Sequence, residues 1–376
     1  MNNMLSIDVI GDSFVDFYCY LESGLPSLGG DSRLTEPIHT VAGGSALNTA
    51  THLSSLIRYF SDRNGSDESV RLQTVVNEND VYGKLIIDHA AQHNFKLINR
   101  RISDFPSCFL DPAQVPGLAK STGHCTVIVA NGDRSFMTHL GCMEDFRGSH
   151  ILANNTSPKF NEHHVHIAGY FNIPGFWNGE LANQLAVMQE NMKKENKRLT
   201  ISLVPQQDAS NNWDGGLKDV LKYIDILILN ETEAKCITGC MYENHRERCD
   251  KQIADCFYKW SPNTYVVVTS GPKGASVFRA GDMILDQRAP RVVTNPVDPT
   301  GAGDAFAAGF MYGLLDTQRN DIDKNRFKLD DMRKALQWGC AMGTCDVMIR
   351  GASTPCPKQN IEILLKEIKC KEDASN

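Results

Sequence analysis

The chain lacks the features that mark membrane proteins, zinc fingers and disulfide-rich secreted proteins. No apolar run approaches the roughly 18 residues that a helix needs to cross a bilayer, and the first residues show no basic start of a signal sequence. The 12 cysteines include no Cys-x-x-Cys, and the close pairs, Cys236 with Cys240 and Cys340 with Cys345, have no partner pairs at zinc-site intervals. We therefore expect reduced thiols, a cytoplasmic location and no membrane partner.

Positive charge is also sparse. The formal net charge is −7, and the densest basic cluster, at 193–198, holds only three lysines and one arginine. That cluster is typical of a solvated helix end. A nucleic-acid-binding protein would show a larger basic patch, so we expect no nucleic-acid partner.

The composition is otherwise that of an ordinary globular protein, with 376 residues, 41% of them hydrophobic and 22% charged. Apolar segments alternate with segments of helical length, which predicts an α/β fold with a mostly parallel sheet flanked by helices. Strands are predicted at 5–10, 72–76, 125–130, 134–138, 164–168, 199–204, 224–229, 264–269, 275–278 and 283–286. Helices are predicted at 43–57, 82–94, 178–196, 214–222, 231–238, 249–260 and 358–370, with polar loops at 61–69 and 316–330.

Residues 298–304, Asp-Pro-Thr-Gly-Ala-Gly-Asp, form the most informative segment, which we call the 298–304 turn. Gly301 and Gly303 let the backbone bend tightly, and the helix-like run that follows would point unpaired N–H groups at the bend. Such a helix start binds phosphate readily. Asp304 would stay ionised in this electropositive setting and could accept a proton beside the phosphate. The segment therefore indicates phosphoryl transfer to a hydroxyl.

The competing interpretation is that a glycine turn merely joins a strand to a helix, with Asp304 as its cap. However, three small residues are followed directly by Asp and an unbroken apolar helix. This pattern favours the phosphoryl-transfer role over a purely structural turn. The commoner phosphate-binding motifs are absent. Gly-x-Gly-x-x-Gly would need a glycine at position 306, which is Phe306, and no Gly-x-x-x-x-Gly-Lys-Ser/Thr occurs.

Two further motifs follow predicted strands: residues 230–233, Asn-Glu-Thr-Glu, and residues 269–274, Thr-Ser-Gly-Pro-Lys-Gly. The 298–304 turn follows an apolar segment at 291–297, which we interpret as a third strand end. Ligands of open α/β sheets bind at the carboxyl ends of strands, so we expect all three motifs at one site. The histidines at 163, 164 and 166 could suggest a metal site, but the apolar alternation around them predicts a strand instead.

These residues resemble the PfkB, or ribokinase-like, family of carbohydrate and nucleoside kinases over roughly residues 5–365. Its signatures are Gly43-Gly44-x-x-x-Asn48 and Asp298-x-Thr300-Gly301-Ala302-Gly303-Asp304. The resemblance implies one kinase domain over 1–376, with a three-layer α/β/α core and a small β-sheet lid from segments near 14–40 and 106–140. It also implies ATP and Mg²⁺ as cofactors, and it allows a homodimer through the lid.

The resemblance gives each matched residue a role. Asp304 would be the catalytic base, and the amides of Gly301, Ala302 and Gly303 would hold the transferring charge. The acceptor would bind Asp16, Gly43, Gly44 and Asn48, and the nucleotide Asn230, Thr269, Gly271 and Gly274. Glu233 would hold Mg²⁺ through water. Asp298 and Thr300, closed by 350–353, would bind a monovalent cation such as K⁺.

The chain departs from the family at Val204, where many members carry Asp before Pro, which leaves the metal shell less defined. The helix around 340–343 lacks the usual Asn, so the adenine contacts stay unassigned.

The acceptor also remains open between a small sugar and a nucleoside. Residues 122–125 and 134–135 resemble adenosine kinases, whereas 131–136 and 138–141 resemble sugar kinases. Phe14, Phe17, Phe136 and Phe171 could each stack on a base. A ligand sensor without turnover is a third possibility, disfavoured by the intact Gly-Ala-Gly-Asp.

Overall fold

The computed structural model describes residues 4–60, 70–100, 120–130, 133–151, 160–240, 246–317 and 327–373. The loop predicted at 61–69, most of the polar segment at 316–330 and part of the 106–140 lid segment lie outside these residues. Within the described ranges, no helix combines the length and apolar character that crossing a bilayer requires.

The strands, numbered β1 to β13 in chain order, are Met4–Gly11, Phe14–Tyr20, His39–Gly43, Val70–Thr74, Lys96–Asn99, His124–Ala130, Asp133–His139, Phe160–Ala168, Arg198–Val204, Ile226–Asn230, Tyr265–Thr269, Ala275–Arg279 and Asp282–Gln287. The helices, α1 to α9, are Ser45–Phe60, Val81–Gln92, Glu180–Lys194, Leu217–Leu221, Glu231–Thr238, Arg246–Trp260, Ala302–Thr317, Leu329–Asp346 and Lys358–Asp373.

The larger sheet has nine strands in the order β13-β12-β11-β10-β9-β8-β1-β4-β5. All neighbouring strands from β11 to β5 run parallel, and only β12 and β13 are antiparallel to their neighbours. The predicted α/β class and mostly parallel sheet are therefore confirmed.

Both faces of this sheet are buried, as β10 illustrates. Ile226 and Ile228 belong to one apolar core, whereas Leu227 and Leu229 belong to the other. Successive strand side chains point to opposite faces, so a continuous apolar run needs cover on both sides. Helices α1, α7, α8 and α9 cover the first face, and α3, α4 and α6 cover the second. The three-layer core is confirmed.

A second, four-stranded sheet has the order β3-β2-β6-β7. Strand β2 runs parallel to β6, and the outer pairs β2–β3 and β6–β7 are antiparallel. Ala130 pairs with Asp133, so the predicted hairpin forms. This small sheet is the predicted lid, and we use that name for it below.

Some boundaries were predicted wrongly. The helix expected at 214–222 is only Leu217–Leu221, because Gly215 and Gly216 have left-handed φ angles of 52° and 77°. The segment 291–297 is not a strand: Val292 and Val297 are 65% and 58% exposed, so its apolar residues pack on no sheet face. The 298–304 turn therefore does not follow a strand end.

The histidines at 163, 164 and 166 lie within β8, as predicted. His164 Nε2 and His166 Nδ1 lie 2.9 and 2.7 Å from the Ser202 hydroxyl oxygen, and His163 Nε2 lies 3.5 Å from a carboxylate oxygen of Asp8. Burial lowers the pKa of His166 to about 3, so its ring is neutral. These side chains hold adjacent strands together.

Candidate active site

The 298–304 turn leads directly into α7, which begins at Ala302. Gly301 has a φ of 87°, and a Cβ there would lie 2.6 Å from the Cβ of Ala352, so only glycine fits. A Cβ on Gly303, by contrast, would meet no atom within 4 Å. The first-turn amides of α7 have no acceptor within the helix, and the space above Gly303 leaves room for an anion to approach them.

Asp304 is 5% exposed and accepts hydrogen bonds from three side chains. Ser45 Oγ donates to Oδ1 at 2.6 Å, and Asn48 Nδ2 donates to Oδ2 at 2.8 Å. Gln206 Nε2 donates to Oδ1 at 3.0 Å. The carboxylate therefore joins α7 to α1 and to the segment after β9, rather than acting as a simple cap of its own helix.

The predicted ionisation of Asp304 needs correction. Burial, with a smaller contribution from the charge of Asp12, raises its pKa to about 7, although hydrogen bonds from Ser45 and Asn48 lower it. The sequence suggested a purely electropositive setting, whereas the fold adds desolvation and a second carboxylate. Near neutral pH, Asp304 thus exchanges a proton easily, as a general base must.

Asp16, on β2, lies close enough to Asp304 for the two charges to interact. Its Oδ2 would be 2.1 Å from a Cβ on Gly43, so this glycine makes room for the carboxylate. Burial raises the pKa of Asp16 to about 7, with further contributions from the charges of Asp12, Asp304 and Asp298. Two carboxylates from the start of the chain and two from near its end therefore share one electrostatic environment.

Gly44 and Asn48 lie at the start of α1. The φ of Gly44 is 97°, and a Cβ there would lie 2.8 Å from the Cα of Ser13, so the site backbone is close-packed. The Gly44 carbonyl accepts the Asn48 N–H at 2.9 Å. The Gly43-Gly44-x-x-x-Asn48 motif therefore places the amide of Asn48 against Asp304.

Asp12 was assigned no role from the sequence, but the structure brings Asp12 to the site together with Asp16. Asp12 Oδ1 accepts the Ala46 N–H at 3.1 Å, and Oδ2 accepts the Asn172 amide at 2.7 Å. Burial raises its pKa to about 6. Asp12 directly follows the glycine that ends β1, and this position at a strand end could have identified it as a site residue from the sequence.

One buried polar atom at the site, Asn48 Oδ1, accepts no hydrogen bond from the residues that the structure describes. Buried polar groups are normally paired, so this oxygen is expected to bind a polar ligand or water. The hydroxyl groups of Tyr18 and Thr300 lie beside each other. Tyr18, on β2, was not predicted from the sequence. The charge of Asp16 and, above all, burial raise its pKa.

The second group of predicted residues lies at the ends of β10 and β11, where Asn230 and Thr269 pair across the strands. Asn230 caps α5: its Oδ1 accepts the Glu233 N–H at 2.9 Å, and Glu233 Oε2 accepts the Asn230 N–H at 3.0 Å. Burial, with a smaller contribution from the charge of Asp304, raises the pKa of Glu233 to about 7.

The loop after β11 depends on two glycines. Gly271 has a φ of 53°, and Gly274 has a φ of 107° with no room for a Cβ, which would lie 1.9 Å from the Gln287 carbonyl oxygen. The Ser270 N–H donates to the Gly274 carbonyl at 2.8 Å and closes the loop beside Thr269.

Asp298 joins the 298–304 turn to the segment that was predicted to close it. Its Oδ1 accepts the Thr300 N–H at 2.9 Å, and its Oδ2 accepts the Gly351 N–H at 3.1 Å. The predicted proximity of 350–353 is thus confirmed, while cation binding there remains a prediction.

Sequence reasoning missed Gln206 and Ser45, the other partners of Asp304. Ser45 lies inside the Gly43-Gly44-x-x-x-Asn48 motif, so its position was a usable signal. No sequence signal identified Gln206 as a site residue. It follows Pro205 and has a left-handed φ of 66°, and in this backbone conformation its side chain reaches Asp304.

Known proteins of similar sequence and structure share this architecture. The adenosine kinase of Schizophyllum commune is 26% identical over 251 residues, which cover 62% of this chain and 67% of that protein. The ribokinase of Haemophilus influenzae is 29% identical over 187 residues, 49% of this chain and 51% of that protein. The chain thus aligns with only about half to two thirds of these relatives' length.

Solved ribokinases have the same fold. That of Giardia lamblia superposes with a TM-score of 0.72 over 95% of this chain and 99% of its own, at 17% identity. The Arabidopsis thaliana ribokinase complexed with ribose and ATP superposes with a TM-score of 0.63 over 96% and 98%, at 20% identity. Residues 111–359 match the pfkB family carbohydrate kinase model, and the chain therefore belongs to this family of carbohydrate kinases.

Proposed function

We propose that the protein transfers the γ-phosphoryl group of ATP to a hydroxymethyl group of a small sugar. The observation that carries this proposal is the position of Asp304: a buried carboxylate beside the free amides of α7 and the open space over Gly303. A proton acceptor and an anion-binding helix start within one turn are what such a transfer needs.

In the proposed reaction, Asp304 removes the proton of the acceptor hydroxyl. That oxygen forms a bond to the γ-phosphorus, and the bond from this phosphorus to the β–γ bridging oxygen breaks, releasing ADP. The amides of Gly301, Ala302 and Gly303 stabilise the charge on the transferring group. Positioning and electrostatics supply most of the rate.

ATP requires a divalent cation for its phosphates, and the acidic residues on the nucleotide side fit this need. Glu233 is buried next to the nucleotide loop, and its capping of Asn230 occupies only Oε2, so Oε1 would face a hydrated Mg²⁺. Mg²⁺ prefers oxygen ligands and keeps several waters. Bound there, it would neutralise charge on the phosphates.

The acceptor side suits a polyol. Asp16 offers a carboxylate that accepts hydrogen bonds from hydroxyl groups, and Asn48 Oδ1 has no partner in the described structure. Of the four phenylalanines that could stack on a base, Phe14 and Phe171 are buried in the second core. These features favour a sugar over a nucleoside as the phosphoryl acceptor.

A nucleoside kinase is the second candidate. Phe17 and Phe136 remain for stacking: Phe17 packs edge-on against Tyr82 at 5.5 Å, and Phe136 is 53% exposed on β7. The alignment with the adenosine kinase of Schizophyllum commune is also longer than that with the Haemophilus influenzae ribokinase.

The decisive experiment measures ADP release from ATP and Mg²⁺ with ribose, fructose, 2-keto-3-deoxygluconate, adenosine and uridine, with Asp304→Asn as the control. Turnover with a sugar supports the proposal, and turnover with adenosine or uridine alone selects the second candidate. If every compound binds in a thermal-shift screen but none is phosphorylated, the protein is a sensor and the proposal is wrong.

A further inference from the structure

A second cluster of polar side chains lies behind the active site and plays no part in the proposed reaction. It contains His52 of α1, Asp346 at the end of α8 and Cys356 just before α9. A ring nitrogen, a carboxylate oxygen and the sulfur of these residues all lie within 4.8 Å of one another, and all three residues are buried.

Among the residues that the structure describes, the carboxylate of this cluster has one ion-pair contact, a long one to His52. Asp346 is 1% exposed, and neither of its oxygens accepts a hydrogen bond in the described structure. His52 Nε2 lies 3.4 Å from Oδ1, but that nitrogen also lies 3.0 Å from the Ala352 carbonyl oxygen and is placed to hydrogen-bond with it. A buried carboxylate with only this long contact is costly to ionise unless a cation compensates its charge.

The donor types identify the class of cation. Imidazole, carboxylate and thiolate together suit Zn²⁺, whereas Mg²⁺ and Ca²⁺ prefer oxygen alone. Ligands at about 2.0–2.3 Å from a tetrahedral zinc lie about 3–4 Å from one another, close to the 3.4 Å between His52 and Asp346. Cys345 supplies a second thiol in contact with Cys356.

We propose that His52, Asp346 and Cys356, with Cys345 beside them, form a structural site for Zn²⁺. The site is closed, as structural zinc sites are, because its ligands are buried. The ion would join α1, which carries Ser45 and Asn48, to the segment whose Ala352 packs against Gly301. It would thus brace the turn that forms the anion-binding amides.

Metal analysis of the purified full-length protein tests the proposal. After dialysis against metal-free buffer and addition of Zn²⁺, the wild type should retain about one ion per chain, and Cys356→Ser should lose it. Cys340→Ser is the matched control: Cys340 is also buried in the first core, but its sulfur faces the Gln287 carbonyl. It should bind zinc like the wild type.

Cys240 and Cys249, whose sulfurs are 2.7 Å apart, are the most plausible competing thiols, so Cys240→Ser should also keep the ion. Zinc retained equally by Cys356→Ser, or by no form of the protein, overturns the proposal. So does loss of zinc from Cys240→Ser alone.

Cobalt substitution gives a readout that does not depend on a folded variant. Co²⁺ bound to the wild type should show a sulfur-to-metal charge-transfer band and the intense visible bands of tetrahedral coordination. A weak octahedral spectrum without the sulfur band overturns the proposal. Zn²⁺, but not an equal concentration of Mg²⁺, should also raise the Tm of the wild type.

Discussion

At the scale of single residues, Asp304 shows two opposing influences on one carboxyl group. Burial and the charge of Asp12 favour its protonated form, while hydrogen bonds from Ser45 and Asn48 favour the ionised form. The resulting pKa of about 7 lies close to the value at which a general base works best. The same burial makes the residue costly for folding when it is ionised.

Asp304→Asn should lower kcat by about 10²–10⁴-fold, because the amide cannot take a proton. Stability should not fall with it. The folded-state pKa of Asp304 lies above its unfolded value of about 4, so ionisation costs folding free energy as pH rises through about 7. Near pH 8, the variant should therefore have a Tm at or above that of the wild type. A variant that turns over normally would refute the assigned base.

The pH dependence of kcat/KM should show an acidic limb near pH 7, with activity lost below it as the carboxyl group is protonated. Asp16 has a similar pKa, so the limb belongs to the coupled acids. Ser45→Ala removes a donor to the ionised form of Asp304 and should move the limb to higher pH.

Ser55→Ala is the matched control for Ser45→Ala. Ser55 is also buried on α1, but its hydroxyl donates to the Thr51 carbonyl at 3.0 Å instead of to the site. Its pH profile should match that of the wild type. Equal shifts in both variants would mean that the effect comes from the helix and not from the hydrogen bond to Asp304.

At the scale of elements, the two glycines at the junction between the 298–304 turn and α7 have different roles. Gly301 is required by its left-handed φ and by the close approach of Ala352. Gly303 lies inside the helix, where no neighbour restricts it. The first glycine therefore serves the fold, whereas the second leaves space for a ligand.

Gly303→Ala should leave the protein folded and stabilise it by up to about 1 kcal/mol, because alanine is the better helix former. Its methyl group would occupy the space proposed for the phosphate, so kcat/KM should fall sharply. Gly301→Ala should instead lower the Tm, since both strain and overlap with Ala352 oppose it. Thermal unfolding and steady-state kinetics of the pair distinguish the two roles, and full activity of Gly303→Ala would argue against the anion site.

At the scale of the whole molecule, the site lies where the large sheet meets the lid. Asp16 and Gly43 come from lid strands, and Asp304 comes from a helix that covers the large sheet. Further contacts connect the two: Arg134 of β7 donates to the Pro299 carbonyl at 3.3 Å, and Arg350 lies 3.1 Å from Glu36. Movement of the lid would therefore be coupled to the 298–304 turn.

The family resemblance allows a homodimer through the lid, and Phe136 and Met137 on β7, at the lid edge, are 53% and 57% exposed. Adjacent exposed apolar side chains on an edge strand favour association. The double variant Phe136→Ser, Met137→Ser should shift light-scattering mass from dimer toward monomer. Met283→Ser, equally exposed on β13 at the far sheet edge, should not. A wild type that is monomeric at every concentration would exclude this dimer.

The sequence by itself determined the α/β class, most strands and helices, and the residue types of the site. It could do so because these depend on local signals: apolar periodicity, glycines where the backbone must bend, and an acid at a helix start. The capping box of Asn230 and Glu233 is local in the same sense, and its helix was placed at its observed bounds. The segment 291–297 was misjudged because its apolar residues are solvent-exposed, which periodicity cannot reveal.

Only the tertiary structure decided which groups surround each site residue and therefore how they titrate. Ser45 and Asp304 are 259 residues apart in the chain, and Gln206 and Asp304 are 98 apart. The cluster of His52, Asp346 and Cys356 likewise combines single residues from three segments. Desolvation and charge coupling depend on distances through space, which a local sequence pattern does not specify.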